Sequence, residues 1–541
     1  MNKQCTQCNK TFRIEPRDQE FYKKMAVPPP TLCPTCRFQR RLAWRNERNF
    51  YSRQCDLCKN PIITVYAPDA QKTVYCYKCW WSDQWDATDY ARDMDWSQPF
   101  FPQFAQLRAV VPALALINDN GAQSENCEYT YDFSRGKNAY LVISSWFVED
   151  SMYGYQINRV KDVYDSHFMF DSELIYEGIA VEKSYRCSWV MNIKSCRDIT
   201  FGYDLQNCSD CILSAGLRNK QYCIWNEQYT QADYEQKKKD LQLDNQEAIE
   251  KLKIEFKHFL LKVPRRFANL VKCENSTGDY LLNSANTDDS YLFNALVNCR
   301  FCTNGDGAKD CYDIINSGNP ELCYDSVTPD DSYNNLFTIY CWKSQFISYS
   351  ENCHSSKELF GCVGMKKGQY AIFNKTYHES EYKTLKQKMI AHMQETGEYG
   401  EFFPITASPF AYNESAAQES FPLTHDRAQA QGYRWKTDLP QVKGKKDLLH
   451  CSQCGNNYKI QPTEAEFYRR MQLPDPQLCI NCRYRARLQR LNPLQLWHRQ
   501  CMCTQVDHKH DGRCQVNFET TYAPERKEIV YCEECYKKEV Y

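Results

Sequence analysis

The sequence predicts a mainly β protein with a central parallel β-solenoid in two related segments, small cysteine-rich modules at both termini and short bracing helices. Three observations lead to this prediction. Paired Cys-x2-Cys motifs occupy both ends, similar short segments recur through the centre, and two charged amphipathic stretches interrupt that recurrence. Sustained recurrence of short strand-like segments is typical of repeat architectures, in which stacking buries a face that one segment cannot bury alone.

Thirty-one cysteines in 541 residues indicate bound metal rather than disulfides. The start Met1-Asn2-Lys3 has no apolar signal core, so we expect a cytoplasmic protein whose thiols stay reduced. Mean hydropathy is −0.70, and no apolar run approaches the ~18 residues that span a bilayer, so no membrane partner is expected. Two Cys-x2-Cys turns present four sulfurs to one ion, which is the closed tetrahedral arrangement that zinc prefers. The predicted zinc ligands are Cys5, Cys8, Cys33, Cys36, Cys55, Cys58, Cys76, Cys79, Cys451, Cys454, Cys479, Cys482, Cys501, Cys503, Cys514, Cys532 and Cys535.

The two ends repeat each other, and the repetition groups these cysteines into four zinc sites. Cysteine intervals of 25 and 19 positions occur at both ends, and each end has a Tyr-Ala-Pro motif whose Tyr lies ten positions before a closing Cys-x2-Cys. The last site departs from its counterpart, because twelve residues separate Cys501 from Cys514, whereas two separate Cys55 from Cys58. Cys514, Cys532 and Cys535 are assigned to it. The remaining ligand is Cys501 or Cys503, and the repeat favours a thiolate over His508 or His510.

Short alternating apolar stretches recur in the centre, broken by Asn, Asp, Ser and Gly. Similar positions follow one another at intervals of 10 to 13 residues between Tyr140 and Cys323. We take a strand and a turn to need about 11 residues, which predicts coils of about 22 residues stacked into a parallel β-solenoid. The segment Gly216–Asn226 returns as Gly364–Asn374, so the two solenoid segments are predicted to be related by duplication. A Greek-key β-sandwich is the alternative, because its strands also recur every ~8–12 residues.

Two charged stretches, 230–261 and 380–395, are predicted to be helical, and Pro264 and Gly397 end them. We expect these helices to brace solenoid ends, which would otherwise expose unpaired strand edges. A stretch from about 402 to 446 contains several prolines and is predicted to be a linker. Its aromatic residues indicate that it packs against another part of the protein.

Both termini also share motifs that zinc binding alone does not require. The N-terminal set is Cys5-x2-Cys8-x3-Phe12, Gln19-Glu20-Phe21-Tyr22 and Cys33-x2-Cys36-Arg37; the C-terminal set is Cys451-x2-Cys454-x3-Tyr458, Glu466-Phe467-Tyr468 and Cys479-x2-Cys482-Arg483. These segments resemble the bacterial family described as "probable zinc-ribbon domain", of the trcl type. The resemblance implies a zinc ribbon at each end and implies no activity. In the C-terminal set Ala465 replaces the Gln that precedes Glu-Phe-Tyr.

The predicted domains combine these features. They are tandem zinc ribbons at 1–90, a first solenoid segment at 91–230, a helical insert at 231–265, a second solenoid segment at 266–377, a helix and linker at 378–446, and tandem zinc ribbons at 447–541.

A basic segment follows the first zinc motif at each end, within a chain whose net charge is only −1. Arginines beside aromatic residues suit phosphate pairing and base stacking, so we expect them to contact RNA or other single-stranded nucleic acid. The alternative is that these helices are solvated, or dock on the acidic middle of the same chain. The candidate residues are Arg37, Arg40, Arg41, Arg45, Arg483, Arg485, Arg487 and Arg490.

The function predicted from these features is that of a zinc-binding, non-enzymatic scaffold or binding protein with four zinc ions, whose terminal ribbons contact nucleic acid or a ribonucleoprotein. The alternative is a solenoid that recognises a protein or a glycan, with the ribbons as structural caps. No catalytic motif is recognisable, so a carbohydrate-active enzyme ranks lower. The 14 cysteines of the middle are expected to be buried thiols that stack between coils, although Cys208/Cys211 and Cys299/Cys302 also have the spacing of a metal or redox pair.

Overall fold

A computed structural model describes residues 1–316, 318–440, 448–508 and 510–541. The chain divides into two units, each built from two separate stretches of sequence. Unit 1 contains Met1–Leu116 and Leu270–Pro440, and unit 2 contains Ile117–Asn269 and Gln441–Tyr541. Each unit therefore combines one part of the centre with one cysteine-rich end of the chain.

Unit 2 contains a large curled sheet of parallel strands. Each residue lies beside the residue twelve positions later, so that Tyr131 is beside Ile143 and Ile143 is beside Tyr155. A sheet that keeps one such register over many turns is solenoid-like. Its strands are Glu125–Glu128, Tyr131–Ser134, Lys137–Tyr140, Ile143–Trp146, Val148–Met152, Tyr155–Asn158, Val160–Tyr164, His167–Phe170, Glu173–Tyr176, Ile179–Glu182, Tyr185–Lys194, Arg197–Tyr203, Ser209–Ala215, Gln221–Ile224 and Glu227–Gln228.

Unit 1 contains a second curled arrangement of the same kind. Its first turn has an offset of eleven residues, from Leu270 to Leu281, and its later turns have an offset of twelve. Between its two groups of strands the coil continues through single parallel bridges, such as Tyr312 beside Tyr324. The strands are Leu270–Val271, Gly278–Leu282, Ser290–Val297, Thr303–Lys309, Gln345–Ser348, Lys357–Phe360, Gln369–Ile372 and Lys375–Thr376.

Left-handed backbone at every third residue lets each coil close within twelve residues. In unit 2, φ lies between +49° and +70° at every third position from Asn126 to Trp225. In unit 1 the same holds from Tyr280 to Phe373, with φ between +46° and +73°. This conformation costs a non-glycine residue ~1–2 kcal/mol, and hydrogen bonds to the adjacent coils offset the cost. The Tyr153 N–H, for example, donates to the Tyr140 carbonyl at 3.0 Å.

The predicted parallel pairing is confirmed, whereas the predicted coil length of about 22 residues is wrong. The prediction assumed that each turn needs several residues of its own. A single left-handed residue makes each corner, so four three-residue sides complete a coil of twelve. The Greek-key alternative is also wrong, because the strands of both curled arrangements pair in parallel except at their last hairpins.

Most described residues that follow a left-handed corner lie in the core, although Lys220 near the end of the unit 2 coil is exposed. In unit 2 this series includes Val142, Val163 and Cys187, each with no exposed surface. All 14 cysteines of the middle fall in this series in one unit or the other, and all are buried except the half-buried Cys273. The prediction of stacked, buried thiols is therefore confirmed. The Cys-x2-Cys pairs at 208–211 and 299–302 are two successive core positions of one coil.

Each curled arrangement ends in the same way, at the duplicated segments noted in the sequence. The last strand turns back in an antiparallel hairpin, with two left-handed residues at its tip. The tip asparagine, Asn226 in unit 2 and Asn374 in unit 1, bonds both backbone groups of one edge residue: Ala215 at 2.8 Å in unit 2, and Val363 at 2.8 and 2.9 Å in unit 1. These bonds satisfy edge groups that a further coil would otherwise pair.

Helices follow both terminal hairpins, as the sequence predicts. They are Gln231–Asp240 and Gln246–Leu260 in unit 2, and Glu379–Glu395 in unit 1. Tyr234 and Tyr382 are buried on these helices, and their rings lie 5.5 and 5.7 Å from those of Tyr222 and Tyr370 on the last full strands. The helices therefore cover the coil ends. In the predicted linker, Phe402 and Phe403 are buried against Trp44, whereas 441–446 lies outside the described residues.

The cysteine-rich ends consist of short antiparallel hairpins and helices. In unit 1 the first hairpin pairs Asn2–Gln4 with Thr11–Arg13, and the second pairs Tyr51–Gln54 with Pro61–Thr64. Val74–Tyr75 pairs in parallel with Ala113–Leu114. The helices of this end are Pro16–Lys24, Pro34–Leu42, Tyr77–Trp80 and Phe100–Val110. In unit 2 the first hairpin pairs Leu449–His450 with Asn457–Tyr458, and the second pairs Trp497–Gln500 with Asn517–Thr520. Arg265–Arg266 pairs in parallel with Val530–Tyr531. The helices of this end are Pro462–Met471, Ile480–Leu488 and Glu533–Val540. Helices Ala417–Ser420 and His425–Ala430 and the 3₁₀ turns Ala87–Tyr90, Ile405–Ala407 and Tyr412–Glu414 complete unit 1. Among the described residues, no helix combines the length and the apolar composition needed to cross a membrane.

Candidate metal centres

Four cysteine sulfurs converge at the first hairpin of the chain. Cys5 and Cys8 flank its turn, Cys33 caps helix Pro34–Leu42, and Cys36 lies in the first turn of that helix. All four sulfurs lie within 4.8 Å of one another, and the Sγ atoms of Cys8 and Cys33 are 3.8 Å apart. A tetrahedral zinc ion with bonds of ~2.3 Å requires sulfur–sulfur distances of about 3.8 Å. The group therefore has the dimensions of a metal site.

The same arrangement occurs three more times, so several four-cysteine groups can hold metal ions such as zinc. The sulfur–sulfur distances are 3.9 Å between Cys58 and Cys76, 3.7 Å between Cys454 and Cys479, and 4.0 Å between Cys514 and Cys532. The complete groups are Cys55, Cys58, Cys76 and Cys79; Cys451, Cys454, Cys479 and Cys482; and Cys501, Cys514, Cys532 and Cys535.

The fourth group resolves the choice that the sequence left open. Cys501, not Cys503, joins Cys514, Cys532 and Cys535, at the position that corresponds to Cys55 of the first end. Cys503 is fully buried but lies outside this set of four thiols, close to His508.

Backbone N–H groups favour the thiolate form of one cysteine in several groups. Burial acts to raise the pKa of Cys55, but N–H groups of Cys76, Cys58 and Leu57 outweigh it and lower the pKa to about 7. In the C-terminal group, N–H groups of Cys479, Cys454 and Gln453 likewise overcome burial and lower the pKa of Cys451 to about 6. The thiolate is the form that binds metal, so these N–H groups prepare the sites for a cation.

The helix that carries Cys36 directs its arginines into unit 1. Arg37 donates from Nε to Asp313 at 2.8 Å, and its side chain is 1% exposed. Arg40 donates to Asp325 at 2.5 Å and to Glu401 at 2.8 Å, and Arg41 contacts Asp325 as well. Both aspartates are fully buried.

Asp325 is held in its charged form by these arginines. Burial alone would raise its pKa, but Arg40, Arg41 and Arg37 outweigh that effect and hold the pKa of Asp325 below its usual range. Asp325 is a left-handed corner residue of the coil, with φ of +46°. The basic helix is thus docked on corners of the curled sheet.

Unit 2 repeats this docking with its own residues. Arg483 donates to Asp165 at 2.7 Å and to Glu464 at 3.0 Å, and Arg487 donates to Asp165 at 2.5 Å. Asp165 is fully buried, again at a left-handed corner, with φ of +52°. Tyr468 donates to Glu464 at 2.7 Å and accepts from Arg483 at 2.7 Å, so its ring links the two helices of the module.

A second contact in each unit uses the Phe of the Glu-Phe-Tyr motif. Phe21 stacks on Tyr312 with ring centroids 3.9 Å apart, and Phe467 stacks on Tyr164 at 4.0 Å. The stacked tyrosines directly precede corner aspartates that bind arginine, Asp313 and Asp165. In each unit a Tyr-Asp dipeptide of the coil therefore contacts the cysteine-rich module: the tyrosine ring stacks on the motif phenylalanine, and the aspartate binds the arginine.

The predicted cationic surface is wrong for six of the eight arginines. Arg45 is also buried, where it contacts Glu47 and donates to Thr328 at 2.9 Å. Of the other two, Arg485 is exposed, and Arg490 is half-buried with its Nη1 3.8 Å from Glu177. The six buried side chains cannot reach a phosphate, because carboxylates or other buried groups of the same unit already contact them and cover them. They are Arg37, Arg40, Arg41, Arg45, Arg483 and Arg487.

Sequence reasoning missed the acceptors of these arginines, although a signal was present. Asp165, Asp313 and Asp325 each follow a tyrosine, and the last two are twelve residues apart. Recognition of the twelve-residue coil would have placed Asp313 and Asp325 at the same position of two successive coils of unit 1, and the Tyr-Asp pair would then have pointed to Asp165 in unit 2.

Comparison with known proteins finds no family model that matches this chain and no curated protein with a similar sequence.

Proposed function

We propose that the chain is a zinc-binding, non-enzymatic scaffold protein in which zinc ribbons brace two β-solenoid segments. The four-cysteine groups and the resemblance of both ends to zinc-ribbon domains support zinc as the metal. Four protein sulfurs complete a tetrahedral shell, so no position is left for water or substrate. This favours a structural over a hydrolytic role.

The observation that carries the proposal is the burial of arginines on coil aspartates in both units. Arg37, Arg40 and Arg41 dock on Asp313 and Asp325, and unit 2 repeats the contact with other residues. Docking that recurs in two units with the same chemistry is expected of a brace. It is not expected of a surface kept free for nucleic acid.

Metal and docking are connected through the helices. Cys36 lies one residue before Arg37, and Cys482 lies one residue before Arg483. An ion that fixes the first turn of each helix therefore also fixes the direction of its arginines. Metal binding in such modules supplies folding free energy, because the site does not exist in the unfolded chain.

The outer face of the unit 2 coil is the proposed binding surface. Four large aromatic side chains there are 37 to 47% exposed: Trp146, Phe147, Phe170 and Tyr185. Next to them a column alternates in charge through Glu125, Lys137, Glu149, Lys161 and Glu173. A shallow groove of about 540 Å³ lies along this face. Exposed aromatics with balanced charge fit a protein segment better than a polyanion.

Metal removal tests the brace. Elemental analysis of protein purified without added metal is expected to return zinc at or above the four ions of the four-cysteine groups. Chelation is then expected to expose the docking helices Pro34–Leu42 and Ile480–Leu488 to hydrogen exchange before the coil strands open. A folded chain without zinc, or docking helices that stay protected after chelation, would overturn the proposal.

Cross-linking in lysate tests the binding face. Capture by the wild type should be lost in a variant with Phe147→Ala and Tyr185→Ala. It should be retained in Tyr333→Ala, whose side chain lies on the unit 1 coil and is 37% exposed, against 38% for Tyr185. Nuclease treatment separates the alternatives, because contact through nucleic acid would disappear with it. Binding of a short RNA that weakens with salt and depends on Arg485 would instead restore the nucleic-acid prediction.

A further inference from the structure

The last zinc motif contains a segment that has no counterpart at the other end of the chain. Two residues separate Cys55 from Cys58, whereas twelve separate the corresponding Cys501 from Cys514. The ten additional residues bring one thiol and two imidazoles, Cys503, His508 and His510. The repeat thus provides an internal comparison, in which one module has these groups and its copy lacks them.

These three groups converge on a sulfur of the neighbouring four-cysteine group. The Sγ of Cys535 lies 3.5 Å from Nε2 of His510, and the Sγ of Cys503 lies 3.1 Å from Nδ1 of His508. The four ligand atoms all lie within 4.8 Å of one another. Zinc bonds of ~2.3 Å to sulfur and ~2.0–2.1 Å to nitrogen imply sulfur–nitrogen distances of about 3.5 Å. The first pair matches that distance, and the second needs to lengthen by about half an ångström.

Hydrogen bonding prepares His510 to act as a ligand. Its Nδ1 lies 2.9 Å from the Gly512 carbonyl, which can only accept, so Nδ1 carries the proton. Nε2 is therefore left with its lone pair, on the side of Cys535. A backbone carbonyl on the far nitrogen is the usual way in which proteins fix the tautomer of a metal-binding histidine.

Burial separates this cluster from an accidental surface grouping. Cys503 has no exposed surface, His508 is 3% exposed and Cys535 is 4% exposed. His510 is half-buried, and its Nε2 faces the Sγ of Cys535. Buried thiols and imidazoles in contact are typical of soft metal sites, and both ligand types suit zinc.

We propose that this module binds a second metal ion, held by Cys503, His508, His510 and Cys535. Cys535 belongs to both groups, so its thiolate bridges the second ion and the ion of the four-cysteine group. The inference rests on the proposed zinc-binding function and adds a two-metal cluster to it. The chemical class of the ligand is a divalent ion that accepts thiolate and imidazole together, with zinc as the first choice.

Electrostatics favour occupation of the second site. A zinc ion with four thiolates has a net negative charge, and here it lies in a site whose sulfurs are all buried. A second dication that shares Cys535 and brings neutral imidazoles reduces this buried charge, which is costly when uncompensated. The second ion has four protein ligands, so its role is to fix the inserted segment 502–513.

Metal counting is the direct test. Native mass spectrometry and elemental analysis of the full chain, prepared with zinc, are expected to give five ions rather than the four of the four-cysteine groups. A variant with His508→Ala and His510→Ala should lose one ion and keep four. His498→Ala is the matched control, because His498 is exposed, lies in the same module and belongs to neither group, and it should keep five.

A second variant and a spectroscopic measurement keep the test informative even if the double histidine variant misfolds. Replacement of residues 502–513 by Asp-Leu, the pair between Cys55 and Cys58, should fold with four ions. X-ray absorption at the zinc edge should show imidazole scattering in the wild type that both variants lack. After cadmium exchange, spin coupling between two cadmium ions should report the bridging sulfur.

The results separate the two proposals. Four ions in the wild type, or five in the double histidine variant, would overturn the second site while the zinc-binding function stands. A pure sulfur environment in the wild type would do the same. A chain that folds with no zinc would overturn both.

Discussion

Asp165→Asn removes a charge from the centre of the unit 2 docking site while it keeps the side chain's shape. Asp165 accepts from Arg483 at 2.7 Å and from Arg487 at 2.5 Å, and it is fully buried. Its backbone has φ of +52°, which asparagine tolerates well. Together with Glu464, the two carboxylates balance the two guanidinium groups. The substitution therefore leaves one buried positive charge uncompensated, with little change in packing.

An uncompensated buried charge costs ~3–5 kcal/mol, which is the destabilisation we expect for the docked helix. Asp171→Asn is the matched control. Asp171 also occupies a left-handed corner, with φ of +51°, and pairs with Arg159 at 2.6 Å, but its side chain is 36% exposed. An exposed pair is worth only ~0–1 kcal/mol. Adding Arg487→Met to Asp165→Asn restores the balance of charge, so the double variant should lose less than the two single variants summed.

Hydrogen exchange of helix Ile480–Leu488 measures the effect locally. A loss of ~3 kcal/mol should accelerate its exchange about a hundredfold, since 1.4 kcal/mol is a factor of ten. Helix Glu379–Glu395 of unit 1 serves as the internal reference and should not change. Equal effects of Asp165→Asn and Asp171→Asn, or strict additivity in the double variant, would refute the reasoning.

The remaining predictions concern one ligand, one buried base and one aromatic contact. Cys36→Ser should lower the zinc content by one ion per chain, and an unchanged content in elemental analysis would contradict the first site. His354 is buried, and burial lowers its pKa from 6.5 to about 3, so only the unfolded chain binds a proton between these values. The free energy of unfolding should therefore fall below pH 6.5, by up to ~1.4 kcal/mol per pH unit. Thermal melts at pH 7 and pH 5 should differ less for His354→Phe than for the wild type, and equal differences would count against this assignment. Phe467→Ala should cost ~3–5 kcal/mol through loss of its stack on Tyr164, seen as faster exchange of helix Pro462–Met471, whereas Phe467→Leu, which keeps most of the buried apolar volume, should cost less.

The thiol groups of the ends could be predicted from the sequence because their chemistry is local. Two Cys-x2-Cys turns at a repeated interval specify a four-sulfur group almost independently of the rest of the fold. For the last group the repeat left Cys501 and Cys503 both open, and only the structure places Cys501 with Cys514, Cys532 and Cys535. It gave no reason to bring His508 and His510 to Cys535, because the inserted segment has no counterpart from which its path could be read.

The length of the coil was missed although its signal is present. The marker positions that recur every 10 to 13 residues correspond to one full coil, not to half of one. The finer period of three appears as Asn or Asp directly before a small core residue, as in Asn207-Cys208, Asp210-Cys211 and Asn298-Cys299. Asn and Asp are the non-glycine residues that best tolerate the left-handed corner. Tyr and Phe occupy other corners, and there the sequence signal disappears.

Docking of the arginines on the acidic middle was an alternative that the sequence left open, but the partner residues could not be predicted, because charge patterning describes a segment and not its partner. Arg37 meets Asp313 276 positions later, and Arg487 meets Asp165 322 positions earlier. A basic amphipathic helix that faces solvent and one that faces buried aspartates have the same local sequence.

The pairing of distant stretches has a consequence for synthesis of the chain. Arg37 leaves the ribosome 276 residues before its partner Asp313, which is roughly 15–55 s at about 5–20 residues per second. During that interval the nascent N-terminal module can acquire its ion, but its arginines have no carboxylates to receive them. Unit 2 has the reverse order, since its coil emerges first and waits for the C-terminal module. The nascent chain thus exposes the basic helix Pro34–Leu42 of unit 1 first and the aspartate Asp165 of the unit 2 coil later, each without its partner. Both are candidates for transient protection by a chaperone.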